Sequence, residues 1–129
     1  MTGHLLPIDT QECRHLLRDA TVGRLTWQAP EGLTSLPVAY GVHVDGRLGL
    51  QVGASGVLAM LAQPTEVAFE VDDLDPVTLT GWSVLVRGTV QAWQGEFPAG
   101  LCRPWAPGEE YVALEITPRQ LSGRSVSAD

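Results

Sequence analysis

The sequence predicts a mainly β protein, six or seven antiparallel strands closed into a barrel with two or three short helices. Three observations carry that expectation. Alternating apolar and polar residues, the period of a half-buried strand, recur through most of the 129 residues. Turn signals join neighbouring stretches at hairpin spacing, Asp45-Gly46 being the strongest. Helical spacing is confined to short segments at the seams, and a closed sheet removes the edges that an open one exposes. A sandwich is the alternative, but it leaves the helix between the third and fourth strands unexplained.

The elements follow in order. Asp9 is a natural N-cap, and Glu12 completes a capping box. Cys13, Leu16, Leu17 and Ala20 recur at helical spacing, so a helix is predicted over residues 10–20, with Ile8 packing back on Cys13 and Gly23 ending it. Strands follow at 22–28, 36–44 and 47–52, the first two joined by a turn at 29–32. Gly53, Ala54, Ser55 and Gly56 interrupt the sheet before a short helix at 57–61, which Pro64 stops. A strand at 65–72, a loop at 72–81 and a long strand at 82–93 come next, with Gly88 marking a bend in the last. Residues 94–108 read as a Pro/Gly-rich connection with a short helix near 99–103, and 111–117 as a final strand. The tail from Pro118 reads equally as strand or loose end. No repeat or linker divides the chain, so one domain over 1–129 is expected.

Composition narrows the function classes. Fifteen acidic residues against eight basic ones, all Arg, give a net charge of −7. Such a surface repels a phosphate backbone and anionic lipid, which argues against nucleic acid and membranes as partners. No apolar run approaches the roughly 20 residues that span a bilayer, and no leader pattern opens the chain. Cys13 and Cys102 lie far apart, as in a protein with reduced thiols, so a cytoplasmic location is expected. His4, His15 and His43 lack metal-ligand spacing, and the Asp72, Asp73, Asp75 run lacks the Gly and Glu of a calcium loop, so no metal is expected. Glu70 is expected to pair with Arg87. Ser83 has no His and Asp at triad spacing, and no catalytic side chain can be named.

Five segments, in order, resemble the pyridoxamine 5′-phosphate oxidase-like family, the FMN-binding split barrels. They are Ala20-Thr21-Val22-Gly23-Arg24-Leu25, Leu36-Pro37-Val38-Ala39-Tyr40, Val67 to Asp72, Gly81-Trp82-Ser83-Val84-Leu85-Val86-Arg87-Gly88, and Arg103 to Gly108. The resemblance implies a homodimer whose two sheets enclose a flavin in a shared groove, with oxidoreductase chemistry on a small molecule. It places Pro37, Val38, Ala39 and Tyr40 along one ring edge. Trp82, Ser83 and Val84 form the floor, and Trp105 reaches in from the second subunit. Trp27 and Trp93 are expected in the core or the dimer seam.

One departure bears on the cofactor. The family holds the flavin phosphate with an Arg, a Ser or Thr and a following Lys, and the matching positions here are Gln51, Val52 and about Val57. Each charge-assisted hydrogen bond contributes roughly 1.5–3 kcal/mol, so losing two costs FMN on the order of a hundredfold or more in affinity. The Gly-rich turn around Ser55, leading into a helix, still offers backbone N–H groups to an anion. Three outcomes stay open: FMN held by altered contacts, with Arg24 or Arg47 as candidates to replace the lost charge; another ligand, such as a deazaflavin or haem-like tetrapyrrole; or a groove that works without a cofactor.

Overall fold

In the computed structural model, which describes residues 4–104 and 110–127, eight strands form one antiparallel sheet. They are β1 (His4–Ile8), β2 (Val22–Ala29), β3 (Gly32–Ala39), β4 (Gly41–Val42), β5 (Leu48–Gly53), β6 (Thr65–Asp75), β7 (Thr80–Ala92) and β8 (Tyr111–Ser127). One α-helix, α1 (Thr10–Asp19), and a 3₁₀ helix (Val57–Ala62) complete the described elements. Hydrogen-bonded neighbours run β3-β2-β6-β7-β8-β5-β4, and β1 adds to the far half of β8.

Covalent continuity closes this sheet. β3 and β4 stand at opposite ends of the hydrogen-bonded order, yet Tyr40 alone separates Ala39 from Gly41. A ribbon whose first and last strands are joined by one residue has to curl back on itself. No ladder links β3 to β4, so the barrel is split there. Leu25, Trp27, Leu48, Leu50, Phe69, Val71, Val84, Val86, Leu114 and Ile116 fill the interior in one cluster drawn from five strands.

The helix forms as its sequence predicts. Asp9 accepts a hydrogen bond from the Glu12 backbone N–H at 2.9 Å, and Cys13 and Leu17 are buried beneath it. The Cys13 thiol points at the Ile8 carbonyl, 3.7 Å away. Gly88 makes the expected bend: a Cβ there would lie 2.2 Å from the Thr117 carbonyl oxygen, where the β7–β8 register shifts.

Several boundaries differ from expectation, each for a physical reason. The count is eight strands rather than six or seven, because the stretch 36–44 divides at Tyr40 and His4–Ile8 pairs with β8 despite Pro7. As an edge strand it tolerates a residue without an N–H. The stretch 36–44 is broken at Tyr40 and begins earlier, at Gly32, across a two-residue turn from Ala29. The 72–81 loop is the end of a hairpin paired out to Asp75 and Thr80. Asp75 caps its tip, accepting from the N–H groups of Val77 at 2.8 Å and Thr78 at 3.4 Å. The tail after Pro118 is strand to Ser127. A helix at 99–103 does not form; a turn stands there, with the Leu101 N–H on the Pro98 carbonyl.

Candidate functional site

Strand alternation decides which predicted residues face a ligand. On β7, Val84, Val86 and Val90 are fully buried, so even positions point into the barrel. Val84 therefore belongs to the core, and Trp82 packs against it from the end of the same stripe. Ser83, an odd position, faces outward. On β3 and beyond, Val38 and Tyr40 are buried at 6 % and 5 % exposure. Tyr40 donates its phenol hydrogen to the Leu17 carbonyl and packs edge-on against Phe69 at 4.9 Å. Burial holds its hydroxyl well above the usual phenol range, so it stays neutral. Pro37 and Ala39 remain on the outer side, exposed and half-buried. The aromatic face expected along the groove from Tyr40 thus serves the interior, while Trp82 is half-buried at the edge of the core. Trp27, at 2 % exposure, is core as expected.

Around Ser83 the outer face dips. A depression of about 360 Å³ is lined by Glu70, Ser83, Leu85, Ser122, Gly123 and Arg124. The register explains the grouping: Glu70 stands opposite Leu85, Leu85 opposite Ser122, and Ser83 opposite Arg124. Beside it Arg24 reaches Asp72 at 3.0 Å. Arg87 sits opposite Ala68, and no Glu70–Arg87 ion pair forms among the described residues. The depression offers a carboxylate, a guanidinium, two hydroxyls and an apolar floor. Sequence reading missed Ser122 and Arg124 because the tail's strand character was open; its alternation of Leu121, Gly123 and Ser125 against Ser122 and Arg124 was the available signal.

The expected phosphate positions lie elsewhere. Gln51 is half-buried on the outer side of β5, Val52 is buried in the core at 7 % exposure, and Ser55 and Val57 are exposed. Gln51 pairs with Ala113 and Ser83 with Arg124, so the two parts of the predicted site sit eleven residues apart along β8, up to about 36 Å. Arg47 precedes β5 and Gly53 ends it, about 20 Å of strand apart, and Arg24 is held by Asp72. Neither arginine stands at the Gly53–Gly56 turn. Tyr111, whose backbone stands opposite Gly53, has a buried hydroxyl with no partner among the described residues. Cys102 lies beside the Gln51 backbone, whose hydrogen bond only partly offsets the burial that raises its thiol. Trp105 lies outside the described residues.

A second cluster covers the outer side of β4 and β5. Trp93 is 8 % exposed and meets Phe97 edge-on at 5.1 Å and His43 at 5.5 Å. The Arg47 guanidinium stacks 3.9 Å above the Trp93 ring and donates to Glu115 at 3.2 Å. Glu115, 3 % exposed, also accepts from the Gln94 N–H at 2.6 Å. Gly41 and Gly49 make room: a Cβ on Gly41 would lie 1.8 Å from the Leu101 carbonyl oxygen. The segment after β7 is thereby strapped across the barrel wall next to Gln51. No described helix is long and apolar enough to cross a membrane.

Comparison with known proteins follows the same lines. The chain is 29 % identical to an uncharacterized protein of Mycobacterium tuberculosis, Rv0080, over 97 % of this chain and 88 % of that one. Its fold matches that of the FAD-binding protein from Mycobacterium smegmatis with a TM-score of 0.74 and 24 % identity, covering 95 % of this chain and 98 % of the other. It also matches an FAD- and haem-binding protein from the same organism, TM-score 0.70 and 15 % identity, covering 95 % and 74 %. These structural likenesses establish the split-barrel fold. The family model described as pyridoxamine 5′-phosphate oxidase matches residues 9–125, and the chain belongs to that family.

Proposed function

We propose that two copies of this chain pair through their outer sheet faces and bind a flavin in the groove between them, the complex acting as an oxidoreductase on a small molecule. The observation that carries this reading is the division of the site. The Ser83 depression and the Gln51–Ser55 end lie at opposite ends of β8, so one chain does not surround an extended ligand. A second copy brings its own phosphate end beside the first copy's depression.

The residues present fit a flavin in kind. Ser83, Ser122, Glu70 and Arg124 offer hydrogen-bond donors and acceptors to a heterocycle with alternating polar groups, over the Leu85 side chain. A bound flavin would supply the hydride or electron transfer; the protein's part is to orient it and exclude water. FAD suits the other end better than FMN. Gln51, Ser55 and Tyr111 give neutral donors and no cation, a poor match for a terminal phosphate dianion. A pyrophosphate bridge carries one charge per phosphate, and the adenosine adds contact area. The fold shared with the FAD-binding protein of M. smegmatis supports this choice.

The same lack of cations favours a second reading, a tetrapyrrole or cofactor-free groove, and one structural neighbour binds haem as well as FAD. Titrating the purified protein with FAD, FMN and haemin, followed by absorbance and flavin fluorescence, separates the readings. FAD is expected to bind at least about tenfold more tightly than FMN. The double variant Gln51→Arg/Val57→Lys is expected to raise FMN affinity by a further tenfold or so. Failure of both flavins to bind, with haemin binding instead, overturns the proposal in favour of the second reading.

A further inference from the structure

A cleft of about 400 Å³ opens where α1 meets the β4–β5 hairpin and the middle of β8, sharing no lining residue with the Ser83 depression. Four arginines line it: Arg14 and Arg18 from α1, Arg47 from the hairpin and Arg119 from β8. The whole chain has eight basic residues and a net charge of −7, so half of its cations converge on one cleft of an otherwise acidic molecule.

The helix brings this about. Thr10, Arg14 and Arg18 recur at i, i+4, i+8 along the edge of the buried Cys13–Leu17 stripe, while Glu12 and Asp19 fall toward the opposite side. The sheet-side arginines already have carboxylate partners. Arg47 holds Asp45 at 2.8 Å and Glu115 at 3.2 Å, and Arg119 holds Glu66 at 3.2 Å. Asp45 is the one carboxylate in the lining, and Arg47 engages it. Arg14 and Arg18 have no ion pair among the described residues. Like charges one helical turn apart repel each other, and a bound anion removes that cost. Leu17, Val42, Pro118 and Leu121 give the cleft an apolar side, and its volume falls in the range of small-molecule sites.

We infer that this cleft binds a small molecule with a phosphate or pyrophosphate group at one end and a compact apolar body at the other. Arg14 and Arg18 grip the anion through paired N–H donors, and Thr10 stands one turn before them. The inference does not depend on the flavin reading.

The probe is inorganic pyrophosphate, titrated calorimetrically into the wild type, Arg14→Gln/Arg18→Gln and Arg87→Gln/Arg103→Gln, the last removing equal charge elsewhere on the exposed surface. One equivalent is expected to bind the wild type. The Arg14/Arg18 variant should bind at least about tenfold more weakly, and the control within about twofold of wild type. FAD affinity, where FAD binds, is expected to be the same in the wild type and in Arg14→Gln/Arg18→Gln. Three results would overturn the inference: no pyrophosphate binding by the wild type, equal weakening in both variants, or a parallel loss of FAD affinity in Arg14→Gln/Arg18→Gln, which would make the cleft part of the flavin site.

Discussion

Glu115 is the buried charged residue of the described chain, and its surroundings explain how it is tolerated. Its carboxylate accepts from the Gln94 N–H and from Arg47, whose guanidinium lies on Trp93. A buried charge is stable only with partners, and removing this one leaves a guanidinium at 21 % exposure without its inner partner. Glu115→Ala is therefore expected to destabilise the fold by about 3–5 kcal/mol, read as a lower urea midpoint. A midpoint within error of wild type would show that the strap is not anchored there. Residue type was the easy part to read and orientation the hard part. Tyr40 and Trp82 look like groove aromatics when read by resemblance. The run Val84, Val86, Val90 places Trp82 on the core side, and the contact with Leu17 takes Tyr40 inward. Arg24 and Arg47 read as available to a phosphate because no sequence signal shows Asp72, Asp45 and Glu115 beside them.

Elements with a local cause were legible; those held by distant partners were not. Helix α1 has its own cap, and Asp9→Ala is expected to cost about 1 kcal/mol, measured by urea denaturation. β1 exists because the far half of β8 offers it a ladder, and Pro7 hides that from a local reading. The polar run at 72–81 reads as loop because an exposed hairpin end needs no apolar alternation. Its tip carries a pH dependence with a definite sign. Hydrogen bonds from the Val77 and then the Thr78 N–H hold the Asp75 carboxyl below the usual carboxylate range. Its folded pKa is thus lower than its unfolded one. The stability it contributes is complete above the ordinary carboxylate pKa and disappears as pH falls through the folded value. Asp75→Asn is expected to melt below wild type at neutral pH, the gap narrowing once pH falls below the ordinary carboxylate range of about 4. A gap that stays constant with pH would show that the carboxylate's charge plays no part in the turn.

At the scale of the whole molecule, the closed, split sheet follows from hairpin order and from the single residue joining β3 to β4. The candidate site is proposed to lie between two chains. Its two ends were readable only through resemblance, because periodicity says nothing about what stands opposite the outer face. Their separation along β8 is the observation from which a second copy is proposed. Light scattering on FAD-saturated protein, with bound flavin counted by absorbance, tests this most directly. The account predicts a mass of two chains carrying one flavin per chain. A single chain that binds FAD at full occupancy, or a two-chain species that binds none, would contradict it.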